Sequence, residues 1–512
     1  MEEQADWLLW ATGQVFLCTD YLSSMDLVTV LLSIVVIIFL ANVLSDKKQE
    51  KFKNFPPGPK PLPILGNLLM IDVSKPYKTF YQLSKQYGSV FTVQMGMTKM
   101  VILCGYDTIK DALINNAEVF SDRPHIPLIA KSKKGYGIIF ANGENWKVMK
   151  RFALSTLRDY GMGKKTIENR ITEEAECLVE KFRSYEGKPF GDLFSISAAV
   201  ANIIVAILLN KRYDYEDPTI HRLIALVDES AKLLGSPWVT LYNIFPALMD
   251  WLPGGHKTVL KNIQQFYSFM QTTFTKHKKD LDVNDQRDLI DAFLAKQEGN
   301  QESTQYYHNE NLTVLVGELF GAAIDTTSST LRWSLLLMIK YPDIQEKVQS
   351  EIDKVIGSAT PKMEHRQQMP YTDAVIHEIQ RFGDIAPTVL HAVSRDVTFK
   401  GYFIPKGTPV IPVLHSISKD KKLFEKPDEF YPEHFLDSQG NFKRIEAFIP
   451  FSTGKRSCAG ETLAKMELFL FFTTFLQLFI FKASPGAELD LTPALGATNS
   501  PKPFEICAVP RS

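Results

Sequence analysis

The residue with the clearest chemical potential in this sequence is Cys458. It lies in the stretch FSTGKRSCAG, residues 451–460, and an apolar run begins near Leu463. The pattern predicts a tight loop that opens onto a helix, where backbone N–H groups and the positive end of the helix dipole favour a thiolate. Gly454 and Gly460 would let a flat ligand approach the backbone. The loop is therefore a candidate metal-binding site with a sulfur ligand.

A thiolate in such a loop suits the axial position of haem iron. It favours O–O cleavage, whereas a histidine ligand favours reversible binding of oxygen. A buried structural cysteine before a core helix is the alternative. Here the string Phe-x-x-Gly-x-Arg-x-Cys-x-Gly is complete, and in this the chain resembles the cytochrome P-450 family of haem-thiolate monooxygenases. The resemblance implies heme b, with Cys458 as the axial thiolate ligand and Phe451, Gly454 and Gly460 beside it.

A second motif places a carboxylate next to hydroxyls inside a predicted apolar helix at 312–339. The stretch FGAAIDTT, residues 320–327, contains Asp325 and Thr326 among small or apolar neighbours. An ordinary solvated face is one interpretation, but polar groups in such surroundings need a partner or a task. The stretch is similar to the family's Ala-Gly-x-Asp/Glu-Thr-Thr oxygen-activation motif, with Ala323 in place of glycine. The resemblance implies that Thr326 hydrogen-bonds the oxygen under reduction and that Asp325 relays protons.

A third motif is the pair Glu378 and Arg381, which share a helix face at i, i+3 spacing. On a surface such a pair contributes less than ~1 kcal/mol. The pair matches the family's Glu-x-x-Arg, and FYPEHF at 430–435 occupies the place of its Pro-x-Arg-Phe segment, with His434 at the arginine position. The resemblance implies a buried cluster of all three residues that fixes the loop behind the haem.

Haem propionates need cationic partners if they are buried. A single basic residue in a sequence is more often an ordinary surface residue than a propionate ligand. The resemblance implies that basic and aromatic side chains hold the haem, namely Arg123, Trp146, Lys150, His391 and Arg456. The stretch WKVMK at 146–150 has lysine where the family has arginine, and Arg151 follows it. Because lysine is a point charge and not a planar fork, either Lys150 or Arg151 is a candidate for this contact.

The elements that must position these residues read as one large domain, mainly α with small β-sheets, over residues 64–512. Length alone would suggest about three domains, but no linker or repeat marks their boundaries. A hairpin is predicted from 89–95 and 99–104, a second one around Lys400 and Gly401, and a buried core helix at 468–481. The composition is 45% hydrophobic and 22% charged with a net charge of −1, which argues against nucleic-acid binding.

An apolar run at 27–44 predicts a transmembrane helix, since 18 residues at ~1.5 Å each span roughly 27 Å. A cleaved signal peptide is the alternative. Acidic residues precede the run and lysines follow it, which predicts a short lumenal segment at 1–26 and a cytosolic catalytic domain. Residues 45–63 form a basic and Pro-rich hinge similar to that of microsomal members. We therefore expect a single-pass protein of the endoplasmic reticulum membrane.

The five cysteines show no CxxC spacing, which fits a reduced compartment and excludes a zinc ribbon. The chain also lacks a G-x-G-x-x-G fingerprint for flavin or nicotinamide, so electrons must come from another protein. The expected donors are NADPH-cytochrome reductase and cytochrome b5, steered by charge. Basic residues cluster in segments that the family places on the thiolate side: Lys147, Lys150, Arg151, Arg158, Lys443, Lys455 and Lys465.

The resemblance, closest to the microsomal family-2 branch, implies an unspecific-type, membrane-bound monooxygenase. Such an enzyme inserts one oxygen atom of O2 into a hydrophobic substrate, which is here a fatty acid, a steroid or a xenobiotic. The substrate is expected to contact 120–139, the helix before Thr326, 385–390 and 495–500. An O2-independent isomerase or dehydratase and a non-enzymatic haem sensor are the alternatives, and the Asp325-Thr326 pair argues against both.

Overall fold

Helices dominate the computed structural model, which describes residues 54–191, 193–299 and 305–511 together with Thr29, Ser33 and Val36. Of the described residues, 54% are helical and 10% are in strands, which confirms the predicted class, mainly α with small sheets. The α-helices are α1 (Pro76–Tyr87), α2 (Tyr106–Lys110), α3 (Pro127–Lys133), α4 (Gly143–Asp159), α5 (Lys165–Arg183), α6 (Phe194–Leu209), α7 (Pro218–Leu234), α8 (Pro237–Ile244), α9 (Pro246–Met249), α10 (Gly255–Lys279), α11 (Leu289–Glu298), α12 (Asn309–Lys340), α13 (Pro342–Val355), α14 (Pro370–Gly383), α15 (His415–Ser418) and α16 (Glu461–Leu478).

Eight strands form three small sheets in the described part of the chain. The strands are β1 (Val90–Met95), β2 (Thr98–Cys104), β3 (His391–Ala392), β4 (Val397–Phe399), β5 (Tyr402–Ile404), β6 (Pro409–Val413), β7 (Phe479–Ala483) and β8 (Ile506–Pro510). The largest sheet has the order β1-β2-β6-β3, in which only β2 and β6 are parallel. The antiparallel pairs β1–β2 and β4–β5 confirm both predicted hairpins.

Helix α12 runs through the interior of the domain. His308 begins it by accepting a hydrogen bond at Nδ1 from the Asn311 N–H (3.3 Å), and Pro342, which cannot continue the helix, starts the next one. It packs against α6 and α16, and most of its side chains are buried on every face. This confirms the predicted helix at 312–339 and explains why it lacks a clear polar stripe.

The predicted core helix at 468–481 is wrong at its carboxyl end. Helix α16 ends at Leu478, and 479–483 form β7, which pairs with β8. Phe479 and Phe481 are buried while Ile480 between them is exposed. This alternation has the period of a strand, and an apolar run alone does not distinguish it from the end of a buried helix.

Packing divides the interior into a large helical core and a smaller core beneath the sheet. The Pro-rich segment lies against this sheet: the Thr92 N–H donates to Pro57 O (2.7 Å) and the Thr92 hydroxyl donates to Pro56 O (2.8 Å). A Cβ at Gly58 would lie 2.1 Å from Thr92 O, so only glycine permits this approach. None of residues 55–63 is helical, as the prolines predict.

The predicted transmembrane helix at 27–44 lies outside the described residues, apart from Thr29, Ser33 and Val36. The predicted lumenal segment at 1–26 and the basic part of the hinge, 45–53, also lie outside them. Among the helices of the described ranges, none combines the length and the apolar character needed to span a bilayer.

Candidate active site

A cavity of about 450 Å³ lies between the helical core and the sheet. Residues from α12, α16, the loop before α4 and the loop after α14 line it together with the cysteine loop. The cavity brings together eight of the predicted site residues: Arg123, Trp146, Lys150, Thr326, Phe451, Arg456, Cys458 and Gly460.

The cysteine loop is shaped by backbone conformations that an ordinary residue rarely adopts. Gly454 has φ 74°, and a Cβ there would lie 1.9 Å from Leu113 O. The Cys458 N–H donates to Phe451 O (3.0 Å), which closes the turn. Gly454 therefore allows close packing beneath the loop, while the Cys458 side chain is open to the cavity.

The ionisation of the thiol differs from the sequence expectation. Burial raises the pKa of Cys458, and the backbone N–H groups of Gly460 and Glu461 lower it only in part. The loop alone therefore does not stabilise the thiolate, because desolvation outweighs two backbone dipoles. A metal ion bound to the sulfur supplies the positive charge that deprotonates such a thiol.

Arg456 reaches from the cysteine loop into the wall of the cavity. Its Nε donates to Ser121 O (2.7 Å) and its Nη2 donates to Ala141 O (2.7 Å). The guanidinium stacks 3.7 Å from the ring centre of Trp146, a cation–π contact. These contacts fix the orientation of the guanidinium.

Arg123 and His391 lie beside Arg456. Arg123 Nε donates to Ile139 O (2.9 Å), and its Nη1 donates to Leu390 O. His391 donates from Nδ1 to Phe120 O (2.6 Å), while its buried Nε2 has no hydrogen-bond partner among the described residues. His391 does not itself line the cavity, but its unpartnered nitrogen needs a further group.

The electrostatics of these bases indicate the charge of the ligand. Burial lowers the pKa of Arg456 to about 9, that of Arg123 to about 10 and that of His391 to about 3, and repulsion from Arg123 adds to the shifts of the other two. Burial also lowers the pKa of Lys150. An anion bound beside Arg123, Arg456 and Lys150 would stabilise their charged forms. The residues therefore fit a flat ligand with carboxylates here and a metal at Cys458.

The question of Lys150 or Arg151 has a geometric answer. Lys150 lines the cavity, donates to Lys455 O and lies 5.3 Å from the Trp146 ring centre. Arg151 is exposed and lines a separate surface depression. Lys150 is therefore the one of the two that can reach a ligand in the cavity.

Thr326 and Asp325 face different ways from α12. The Thr326 hydroxyl donates to Ala322 O (2.8 Å), and Thr326, Ala322 and Ala323 all line the cavity. Asp325 does not line it, and its Oδ2 accepts a hydrogen bond from the Thr498 hydroxyl (2.9 Å). Burial raises the pKa of Asp325, which the Thr498 bond partly opposes. A proton route from Asp325 to Thr326 must therefore pass around the helix.

Glu378, Arg381 and His434 form a buried cluster that joins α14 to the 418–434 segment. Arg381 Nε and Nη2 donate to the two Glu378 oxygens (2.7 and 2.6 Å), and His434 Nδ1 lies 3.2 Å from Oε2. His434 Nε2 accepts from the Lys426 N–H (3.1 Å), so Nδ1 carries the proton. Arg381 also donates to the Glu429 and other carbonyls of the 418–429 segment. All three side chains are buried, as the resemblance to the family implied.

Sequence reasoning missed Glu318, which anchors a loop that lines the cavity. Its Oε2 accepts from the N–H groups of Ile138 (2.7 Å) and Ile139 (2.8 Å), and Lys133 Nζ lies 2.9 Å from its Oε1. Glu318 is buried and lines the cavity. Its signal in the sequence is an acid within an apolar helix, two turns before Asp325.

Glu467 on α16 was also missed. It is buried and lines the cavity, and its Oε1 has no hydrogen-bond partner in the described part of the chain. Burial raises its pKa to about 8, and the nearby Thr327 hydroxyl opposes this shift only weakly. The carboxyl group is therefore mainly neutral at pH 7. An acid in the apolar run 463–476 was the available signal.

Most of the segments predicted to contact the substrate line the cavity, but one does not. Ile138, Ile139, Ile385 and Val389 line the cavity, as does the α12 face at Ala322. The turn at 495–500 is not part of the lining that the described residues form. It packs against another face of α12, because its polar side chains pair with polar groups there.

Comparison with known proteins agrees with this site. A sequence model of the family described as Cytochrome P450 matches residues 56–508. The chain is 47% identical over 502 residues to cytochrome P450 2K1 from Oncorhynchus mykiss, which covers 97% of this chain and 99% of that protein. It is 47% identical over 473 residues to cytochrome P450 2C5 from Oryctolagus cuniculus (91% and 97%). It is also 47% identical over 474 residues to cytochrome P450 2B19 from Mus musculus (91% and 96%).

Proposed function

The chain belongs to the cytochrome P450 family, and from this premise and the cavity's geometry we propose a membrane-bound monooxygenase that hydroxylates hydrophobic substrates. As a haem-thiolate oxidoreductase it has haem as its cofactor, with a cysteine thiolate as axial ligand. The observation that supports the proposal most is one cavity that joins an accessible cysteine, a helix hydroxyl and apolar walls.

Cys458 would be the axial ligand, and the basic residues in and beside the cavity wall would bind the propionates. Arg123, Lys150 and Arg456 are charged donors there. The buried His391 Nε2 has no hydrogen-bond partner among the described residues. When bound, the haem supplies electron transfer to O2 and insertion of one oxygen atom into a C–H bond. The protein supplies position, charge and protons.

Thr326 would control where protons go. Its hydroxyl donates to Ala322 O in the structure, so its oxygen can accept a further hydrogen bond from the cavity side. A hydroxyl at this place can hold a proton next to reduced oxygen and favour its release as water. Asp325, one position earlier, would restore that proton from outside the cavity.

The substrate would occupy the apolar part of the cavity. Ile139, Leu319, Ala322, Ile385 and Val389 supply that surface. Apolar burial selects for hydrophobicity and not for one compound, so fatty acids, steroids and xenobiotics are the proposed classes, as for an unspecific-type monooxygenase. Glu318 fixes the backbone at 138–139, which forms part of the cavity wall.

An exposed apolar surface supports the membrane proposal. Trp251 is 86% exposed and Leu248 65%, both near α8 and α9. A Cβ at Gly96 would lie 2.3 Å from Ile244, so the β1–β2 turn, with exposed Met97, is next to this surface. We propose that the surface rests on the endoplasmic reticulum membrane, with 27–44 as the anchor after a lumenal 1–26, and 45–63 as the hinge to a cytosolic domain at 64–512.

The electron donor would bind on the side of the cysteine loop. A surface depression there is lined by Trp146, Lys147, Arg151 and Lys455 together with Glu118. Such a basic surface fits an acidic flavoprotein, which we propose to be NADPH-cytochrome reductase, with cytochrome b5 as a second donor. Salt screens the attraction between this basic surface and an acidic donor. The rate at which the donor reduces the haem should therefore fall as ionic strength rises.

The test is a product screen with the purified full-length chain, the reductase, NADPH and ¹⁸O2. Fatty acids, steroids and a drug panel are incubated and analysed by mass spectrometry. A monooxygenase gives products that carry one ¹⁸O atom and depend on NADPH. Product formed without O2 and NADPH would instead identify an isomerase or dehydratase, and haem binding without any product would identify a sensor.

A further inference from the structure

Two hydrogen bonds between side chains join one face of α12 to the turn at 497–500. The Thr498 hydroxyl donates to Asp325 Oδ2 (2.9 Å), and the Ser329 and Ser500 hydroxyls hydrogen-bond to each other. Asp325 and Ser329 are one helical turn apart and therefore share a face. The turn thus holds the acid of the proposed proton relay on a face away from the cavity lining.

Asn499 connects the same turn to the wall of the cavity. Its N–H donates to Ile385 O (3.0 Å) and its Nδ2 donates to Asp384 O (2.8 Å), and both of these residues line the cavity. Trp333 Nε1 donates to Asn499 O (2.8 Å), which ties this residue to α12 as well. The adjacent residues Thr498 and Asn499 therefore connect the Asp325 carboxylate to the cavity-lining segment 384–385.

The carboxylate lies in a mixed electrostatic environment. Burial raises the pKa of Asp325 most strongly, and the negative charge of Asp228 on α7 adds to this. The Thr498 hydrogen bond and the charge of Arg332 on α12 act in the opposite direction. Thr498 is thus the neutral donor among these neighbours, and it can be altered without changing a charge.

We propose that Thr498 is a positioning residue for proton delivery, which holds the Asp325 carboxylate behind α12 and links it through Asn499 to the cavity wall at 384–385. This inference rests on the proposed function, because proton delivery matters only where O2 is reduced. A substrate that presses on Ile385 thereby affects the group that supplies protons to Thr326. Substrate fit and correct use of electrons are coupled in this way.

The chemistry gives a direct measure. Productive turnover converts R–H, O2, two electrons and two protons into R–OH and water. Unproductive turnover converts O2, two electrons and two protons into hydrogen peroxide, and the substrate is unchanged. The ratio of product to peroxide therefore reports how well protons are delivered, and its pH profile reports the group that delivers them.

The experiment compares Thr498→Val and Thr498→Ser in the full-length enzyme with its reductase. We expect the midpoint of the pH profile of this ratio to move upward by about one pH unit in Thr498→Val, since one hydrogen bond to an ionised carboxylate is lost. Thr498→Ser keeps the hydroxyl and the wild-type midpoint. The matched control is Ser500→Ala, which removes the neighbouring hydrogen bond to an uncharged hydroxyl and leaves the midpoint unchanged.

A double variant distinguishes positioning from packing. In an Asp325→Asn background, Thr498→Val should not change the ratio further, because the group on which it acts is absent. With hydrogen peroxide in place of NADPH and O2, both protons arrive with the oxygen. Product formation by Thr498→Val should then stay within twofold of the wild-type rate.

Four results would overturn the inference. Three of them are an unchanged midpoint in Thr498→Val, an equal shift in Ser500→Ala, and an effect of Thr498→Val that persists in Asp325→Asn. A loss of the peroxide-driven reaction would also contradict it, because it would place the defect in substrate or haem binding. Failure of the proposed function is distinct, since the wild-type chain would then form no ¹⁸O-labelled product at all.

Discussion

The buried acid Glu467 predicts that the free energy of unfolding depends on pH. Its carboxyl group is buried, and its pKa rises from 4.5 to about 8 in the folded protein. Between these values the unfolded chain releases a proton that the folded chain keeps. The free energy of unfolding therefore has its full value below pH 4.5, falls as pH rises, and is lowest above pH 8.

The size of this stability loss follows from the difference between the working pH and the unfolded-state pKa of 4.5. At pH 7 the difference is 2.5 pH units, which at about 1.36 kcal/mol per unit corresponds to a loss of about 3 kcal/mol. Glu467→Gln keeps the shape and removes the ionisation. We expect this variant to be more stable than the wild type by about that amount at pH 7 and to have similar stability at pH 4.5.

The assay is thermal unfolding of the haem-loaded enzyme between pH 5 and pH 8. With ~2.1 cal/mol/K of unfolding entropy per residue, the difference is about 3 °C at pH 7 for a domain of this size. Glu461→Gln is the matched control, because Glu461 lies on the same helix but pairs with Lys465 at the surface. A difference between Glu467→Gln and the wild type that is the same at every pH would refute the argument.

Three further predictions concern the site. Cys458→His should abolish the long-wavelength Soret band of the reduced carbon monoxide complex, whereas its retention would place the sulfur ligand elsewhere. Thr326→Ala, in combination with Thr327→Ala, should keep haem binding but lower the product-to-peroxide ratio, because positioned proton transfer contributes ~10²–10⁴-fold; an unchanged ratio would mean that Thr326 only packs. Glu378→Gln should destabilise the enzyme by ~3–5 kcal/mol, measured by unfolding, because it leaves the buried Arg381 without a charged partner; a loss below 1 kcal/mol would contradict the buried pair.

Local spacing was enough for several features of this protein. Gly454 predicted a tight turn before Cys458, and in the structure it has φ 74° and no room for a Cβ beside Leu113 O. The i, i+3 spacing placed Glu378 and Arg381 side by side, because helix geometry is set within one turn. The long apolar run predicted α12 to within a few residues.

Other features depend on contacts between distant parts of the chain, and only the tertiary structure decided them. Asp325 is adjacent to Thr326 in sequence, but it is paired with Thr498, 173 positions away, because that turn packs against the back of α12. The pKa of Cys458 is raised although its loop contains favourable N–H groups, because desolvation depends on everything that surrounds the cavity. Sequence thus determined which groups are available for chemistry through local backbone geometry, whereas packing decided which way they face and what charge they carry.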